Sequence, residues 1–199
     1  GEIWYSTGNK ISSFNFDFST GSIITGNFST MGRAVSDFSS ALPAGSTVED
    51  VSTTGVMDGF SGTLFLYDPV SDTQAPVAEC IVTSASFSYD NSLESRLAIF
   101  QDESCDQAEG RISSTGDLEM YFADSTYATH FDDETILSLK LAPVDIDGNQ
   151  ISFVFPRIKF TADSRSKTET DVTESLSWTA LAGNMVHGPM GIVVSPFMG

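Results

Sequence analysis

Two-residue alternation is the pattern that most constrains this chain. Phe14, Phe16 and Phe18 are interleaved with Asn15, Asp17 and Ser19. On an extended backbone successive side chains point to opposite faces, so this run has one apolar and one polar face. The run breaks at Thr20-Gly21 and resumes through Ile24, Gly26 and Phe28, which reads as a hairpin. Further strands are expected at Thr63 to Tyr67, Ile81 to Tyr89, Leu118 to Phe122, Ile136 to Leu141, Ile151 to Phe160 and Ser175 to Leu181. Long 3.6-residue periodicity is almost absent, so the fold class is mainly β, with enough strands for a two-sheet sandwich or barrel. The Asp147-Gly148 pair supplies a turn between two of them. One short helix is expected where Asp124 or Ser125 caps a segment that places Tyr127, Ala128 and Phe131 on one side.

A length of 199 residues suits a single domain. Leu, Ile, Val and Phe make up 51 of those positions, enough to bury a core without help from disulfides or metals. Residues 32–62 are Ser, Thr, Ala and Gly with scattered Phe38, Leu42, Val48, Val51 and Met57 and no strict period, so they read as a long loop that orders against a partner. From Ser175 to Gly199 there is no charged side chain, but glycines, Asn184 and Pro189 interrupt the run too often for a spanning helix. Buried strands followed by a tail over 184–199 are expected, with no membrane insertion.

Nine Lys and Arg face 27 Asp and Glu, a formal charge of −18. Phosphate-backbone affinity needs clustered cations, so gripping nucleic acid is excluded as a function class. Two cysteines, Cys80 and Cys105, fit neither a disulfide scaffold nor a zinc motif, and favour a reduced, cytosolic origin; the opening GEIWYSTGNK has no signal-peptide pattern.

Catalytic chemistry finds few supports. Only His130 and His187 offer imidazole, and no HExxH, GxSxG, GxGxxG, P-loop or paired CxxC occurs. His130 reads as a packed or surface helix residue and His187 as part of a Gly-rich turn. Asp145, Asp147 and Asn149 have the opening spacing of a calcium loop, but Gln150 stands where glycine is required and Pro156 where glutamate is, so a plain hairpin turn is expected. The cluster Asp132, Asp133 and Glu134 reads as a solvated face, and Asn27-Phe28-Ser29 as a strand segment. No enzyme activity, cofactor or metal is expected.

The charges are unevenly placed. The 62 residues from Ala34 to Ser95 contain no Lys or Arg and nine acidic side chains. Around Asp117 to Phe122, alternation puts Leu118, Met120 and Phe122 inside and Asp117, Glu119 and Tyr121 outside, giving one acidic strand face. Arg157, Lys159, Arg165 and Lys167 form the opposite pattern, a basic strip that matches acidic regions of a neighbouring copy. Solubilising charges on a hairpin explain the strip equally well.

Several stretches taken together resemble the tail tube (major tail) proteins of long-tailed bacteriophages. They are NKISSFNFDFSTGSIITGNFSTMG, SASFSYDNSLESRLAIF, GDLEMYFADSTYATHFDDET and ISFVFPRIKFTADSRSKTETDVTESLSWTALAG, spanning residues 9–183 in order. The resemblance implies a β-sandwich with one flanking helix whose copies close into a ring, usually of six, with strands joined into a continuous inner β-barrel. It implies that rings stack into a tube in the virion tail, assembled in the host cytoplasm, with the 32–62 loop reaching the next ring. Asp117 and Glu119 are then candidates for an acidic lumen past which DNA slides as non-adhering cargo, and Arg157, Lys159, Arg165 and Lys167 for contacts between subunits. Tape measure, tail tip and terminator proteins are the implied further partners. The competing reading is a monomeric β-sandwich that binds carbohydrate or a receptor, but Trp178 alternates like a core residue and Trp4 lies near the terminus, so no sugar platform is evident.

Overall fold

The Phe14, Phe16 and Phe18 alternation becomes the inner face of one long strand of a curled antiparallel sheet. The computed structural model describes residues 3–36, 39, 41–43, 45–47, 55–59, 61–68, 77, 81–101, 103–182 and 189–195. In chain order the elements are β1 (Ser6–Thr7), β2 (Lys10–Ser19), β3 (Thr25–Met31), β4 (Ala34–Val35), β5 (Gly62–Tyr67), β6 (Val82–Asp90), β7 (Glu94–Arg96), β8 (Asp106–Ala108), β9 (Ser113–Tyr121), α1 (Thr126–Asp132), β10 (Leu137–Pro143), β11 (Gln150–Lys167), β12 (Val172–Ala180) and β13 (Gly191–Ser195). The main sheet runs β3-β2-β6-β9-β12-β11-β10-β5, with β13 added alongside β11. Two small pairs, β1 with β4 and β7 with β8, stand apart from it.

The mainly β expectation holds, and the two layers of the sandwich are the two ends of one continuous sheet. The Phe16 and Phe153 rings lie 4.8 Å apart, although β2 and β11 are four places apart in the sheet. In a flat sheet four spacings of about 4.8 Å would separate them by about 19 Å. The sheet therefore curls into a half-barrel, and its concave side is the core. Leu118, Met120, Leu139, Phe155, Ile158, Leu176 and Trp178 are essentially sealed from solvent there. Phe14, Phe16, Phe18 and Phe87 close over Phe153 and Phe155 from the opposite layer.

Strand β11 is 18 residues long and serves both layers. Its first part pairs with β10 and β13 and its second with β12, with a bulge between Phe160 and Ala162. A bulge bends its strand and increases local twist, which is how one strand turns the corner of the half-barrel.

Helix α1 lies where expected. Asp124 Oδ1 accepts from the Thr126 N–H at 2.8 Å, while the N-cap position itself, Ser125, makes no side-chain cap bond. Tyr127 and Phe131 pack against the core. The Asp147-Gly148 turn joins β10 to β11, with Gly148 at φ +84°. Strand β9 starts at Ser113, five residues before the apolar alternation made it legible, because its first residues, Ser-Ser-Thr-Gly, carry no apolar side chain. Of the uncharged carboxyl-terminal stretch, β12 is buried as expected. By contrast β13 is an exposed strand, with Ile192, Val193 and Val194 all facing solvent.

Candidate assembly surfaces

The convex side of β3, β2, β6, β9 and β12 carries polar side chains across its whole width. Registers align Thr25, Asn27 and Ser29 of β3 with Asp17, Asn15 and Ser13 of β2. Those meet Ser86, Ser88 and Asp90 of β6, with Ser19 opposite Ser84. The β6 residues meet Asp117, Thr115, Ser113 and Glu119 of β9, and β9 meets Thr173, Ser175, Ser177 and Thr179 of β12. None of these side chains is Lys or Arg. Period-two alternation produces the surface directly: β2, β6, β9 and β12 bury Phe, Leu, Met and Trp on their other side.

Asp117 and Glu119 sit at the centre of this face, as the alternation required. Asp117 Oδ1 accepts from Ser177 Oγ at 2.6 Å and Glu119 Oε2 from Ser84 Oγ at 3.3 Å. The hydroxyls hold the carboxylates in place and bring no positive charge, so the face is negative and hydroxyl-rich, with Lys10 and Lys159 only at its margins.

The four basic residues do not share one face. Lys159 lies beside Thr179 and its Nζ pairs with Glu134 at 3.0 Å. Arg157 donates from Nη1 to the Ala182 carbonyl at 3.4 Å. Beyond them the bulge inserts one residue and reverses the facing, so Arg165 lies opposite Glu174 on the inner side. There its Nη2 donates to Glu174 Oε1 at 3.1 Å and to Asp163 Oδ2 at 3.4 Å, and the guanidinium lies 4.7 Å from the centre of the Phe122 ring. Arg165 is committed within its own chain, and Lys167 is exposed near the end of the strand.

Among the described residues Glu174 is the most deeply buried carboxylate, with 0% relative exposure. Burial pushes its carboxyl above the ordinary glutamate range, hydrogen bonding from Arg165 opposes that, and the Asp163 charge adds to the rise. Glu174 Oε2 and Asp163 Oδ1 are both buried without a hydrogen-bond partner. Asp145 shows the opposite behaviour. Its Oδ1 accepts from the backbone N–H groups of Asp147 and Asn149 and its Oδ2 from Asn149 Nδ2, which together hold its carboxyl below the ordinary range. The oxygens that a calcium loop would direct at an ion here organise the turn. Among the described residues no three His, Cys, Asp or Glu side chains gather closely enough to hold a metal.

Of the loop residues expected to meet a partner, Phe38, Val48 and Val51 lie outside the described residues, as do Cys80 and His187. Leu42 is exposed, and Met57 accepts a backbone bond from Ile24, returning the loop to the β2–β3 turn. Cys105 is a free, exposed thiol, and Trp178 is buried against Phe155. Sequence reasoning missed the β7–β8 hairpin. Its tip, Leu97-Ala98-Ile99-Phe100, turns apolar side chains to solvent, and Phe100 is 99% exposed at φ +67°. The available signal was LAIF following Glu94-Ser95-Arg96, an apolar run too short to alternate.

A family model described as phage tail tube protein matches residues 1–180. Among solved structures, one similar chain comes from the tail of an empty GTA particle computed with helical refinement and C6 symmetry. It is 10% identical, covers 66% of this chain and 95% of its own length, and superposes with a TM-score of 0.48. No curated protein matches this chain.

Proposed function

This chain belongs to the phage tail tube protein family and is a structural subunit of the virion tail, and from that premise we propose that its serine- and threonine-rich convex face lines the lumen of the tube. Copies close into a ring, six in the reading taken from the resemblance, by adding sheet edge to sheet edge. Closure removes the exposed backbone donors and acceptors of β3 and β5, the two ends of the main sheet. The observation that supports the reading is the breadth of the face: from Ser13, Asn15 and Asp17 across to Ser175, Ser177 and Thr179 the aligned outward positions carry no cation, with Lys10 and Lys159 at its margins and Tyr121 as its one large aromatic side chain. Six copies at −18 each carry −108. DNA passing such a wall meets repulsion and no adhesive contact. The 32–62 loop is proposed to reach the next ring, Arg157, Lys159 and Lys167 to face neighbouring subunits, and the ends of the tube to meet tape measure, tail tip and terminator proteins.

The test is electron microscopy of the purified protein at high concentration, beside the double variant Asp117→Lys with Glu119→Lys. Hollow tubes from both, with DNA retained only by the lysine tubes and released by salt, are the expected outcome. Tubes that retain no DNA in either form would place the face elsewhere than the lumen, and a protein that remains monomeric at every concentration would overturn the tube reading.

A further inference from the structure

Near α1 the inner side of the sheet turns from apolar to charged. One inward row joins Asp163 of β11, Leu176 of β12 and Leu118 of β9, and the next joins Arg165, Glu174 and Met120. One cation serves both carboxylates. Arg165 Nη2 donates to Glu174 Oε1 at 3.1 Å and to Asp163 Oδ2 at 3.4 Å, and Arg165 Nε donates to Glu174 Oε1 at 3.2 Å. The other oxygen of each carboxylate, Glu174 Oε2 and Asp163 Oδ1, is buried without a hydrogen-bond partner. The two side chains are within hydrogen-bonding reach of each other, a contact that favours the neutral form of Glu174.

A buried acceptor without a donor is destabilising, and two carboxylates against one guanidinium leave a net charge of −1 in a closed site. One proton removes both faults. With Glu174 neutral its O–H becomes a donor, Asp163 remains an acceptor, and the charge of Asp163, Arg165 and Glu174 together falls to zero. Two carboxyls that face each other ionise one at a time and titrate as a pair. The elements packed around them offer no substitute donor. Met120 and Phe122 are uncharged. Helix α1 brings the Tyr127 phenol, held above its ordinary range by burial and then by the charges of Asp124 and Glu174, and one turn on the half-buried His130, but neither bonds to the orphaned oxygens. Among the described residues no third His, Cys, Asp or Glu joins the pair to hold a metal, and the guanidinium beside them repels a cation.

We propose that Glu174 and Asp163 hold one proton between them, Glu174 Oε2 donating it to Asp163 Oδ1, and that this closed proton site secures α1 against the sheet. Tyr127 and Phe131 pack α1 onto the core, and the Tyr127 phenol senses the Glu174 charge. As pH rises the proton leaves to solvent, the site regains its net −1 and its two unsatisfied oxygens, and water enters beneath α1 to solvate them. The α1 end therefore opens before the rest of the half-barrel. This device belongs to a single copy and does not depend on the tube reading.

The test follows the carboxyl groups of the full chain by infrared and NMR spectroscopy from acid to mildly alkaline pH, beside hydrogen exchange of the α1 amides, in the parent, Glu174→Gln and Asp163→Asn at concentrations below assembly. One carboxylic acid signal should persist in the parent above the range near pH 4 where exposed carboxyls titrate. It should be lost in Glu174→Gln and displaced to lower pH in Asp163→Asn, whose amide donates to the ionised Glu174. Histidine has no carboxyl, so titration of His130 leaves this signal untouched. As the signal disappears in the parent, the α1 amides should exchange faster than the intrinsic effect of pH requires. In Glu174→Gln, where the side-chain amide donates to Asp163 at every pH, they should not. If all carboxyls titrate in the exposed range, or if Asp163→Asn keeps the persistent signal at the parent's pH, no proton is shared and the proposal is wrong. Calcium or magnesium chloride that slows α1 exchange in the parent but not in Glu174→Gln would also overturn it, because a metal ion would then join the oxygens. Exchange of α1 that ignores the titration would show that the site does not secure the helix. Should Glu174→Gln fail to fold, the shift in Asp163→Asn decides the matter alone.

Discussion

Glu174 shows how a single residue carries the pH response of the fold. Its carboxyl titrates above the ordinary glutamate value of 4.5 because it is buried beside Asp163, so the folded chain binds this proton more tightly than the unfolded chain. The resulting stability is fully present at low pH and is lost as pH rises from about that value through the folded-state value. Glu174→Gln is therefore expected to flatten this part of the stability profile, measured by urea denaturation from acid to neutral pH. Asp145 has the opposite sign, since its hydrogen-bonded carboxylate adds stability that is lost on acidification, and Asp145→Asn should remove that acid-side slope. Gly116 illustrates a steric requirement. A Cβ there would lie 2.2 Å from the Ser86 carbonyl oxygen and 2.5 Å from the Trp178 ring, so Gly116→Ala is expected to destabilise the fold by about 1–3 kcal/mol in thermal melts. Sequence pattern placed Trp178 in the core, but not the glycine beneath it, because that need arises from a strand 62 positions away.

At the scale of the element, β11 marks the limit of periodic reasoning. Alternation correctly put Arg157 and Lys159 on one face. The basic strip expected from Arg157, Lys159, Arg165 and Lys167 does not continue past the bulge at Phe160/Ala162, beyond which Arg165 lies on the inner side. Bulges are set by how two layers meet, not by a local composition signal, so the committed Arg165, Asp163 and Glu174 group was not legible. The two kinds of ion pair should differ when broken. Arg165→Met leaves two inward carboxylates without their cation and is expected to cost about 2 kcal/mol, less than a fully buried pair because the guanidinium is partly exposed. Lys159→Met removes a largely exposed pair and should change stability by under about 1 kcal/mol. Both are readable from denaturation midpoints. Strands with a clear apolar stripe, β2, β5, β6, β10 and β12, were located to within a few residues. β7, β8 and β13 were not, since short exposed strands have no buried face to impose a period.

For the whole molecule, charge is the long-range constraint. At −18 per chain, copies repel one another, and raising salt shortens the range of that repulsion from about 10 Å at 0.1 M. Assembly should therefore require less protein at high salt than at low, a shift measurable by sedimentation. The amino-acid sequence alone determined that this chain is a mainly β, acidic domain with a polar strand face bearing Asp117 and Glu119, because alternation and net charge are properties of neighbouring residues and of sums. Tertiary structure alone decided that one sheet curls on itself, that Arg165 turns inward, and that the apolar Leu97–Phe100 tip of the β7–β8 hairpin faces solvent. Those outcomes depend on which distant strands pair and at what register, and long-range pairing leaves no mark on local sequence.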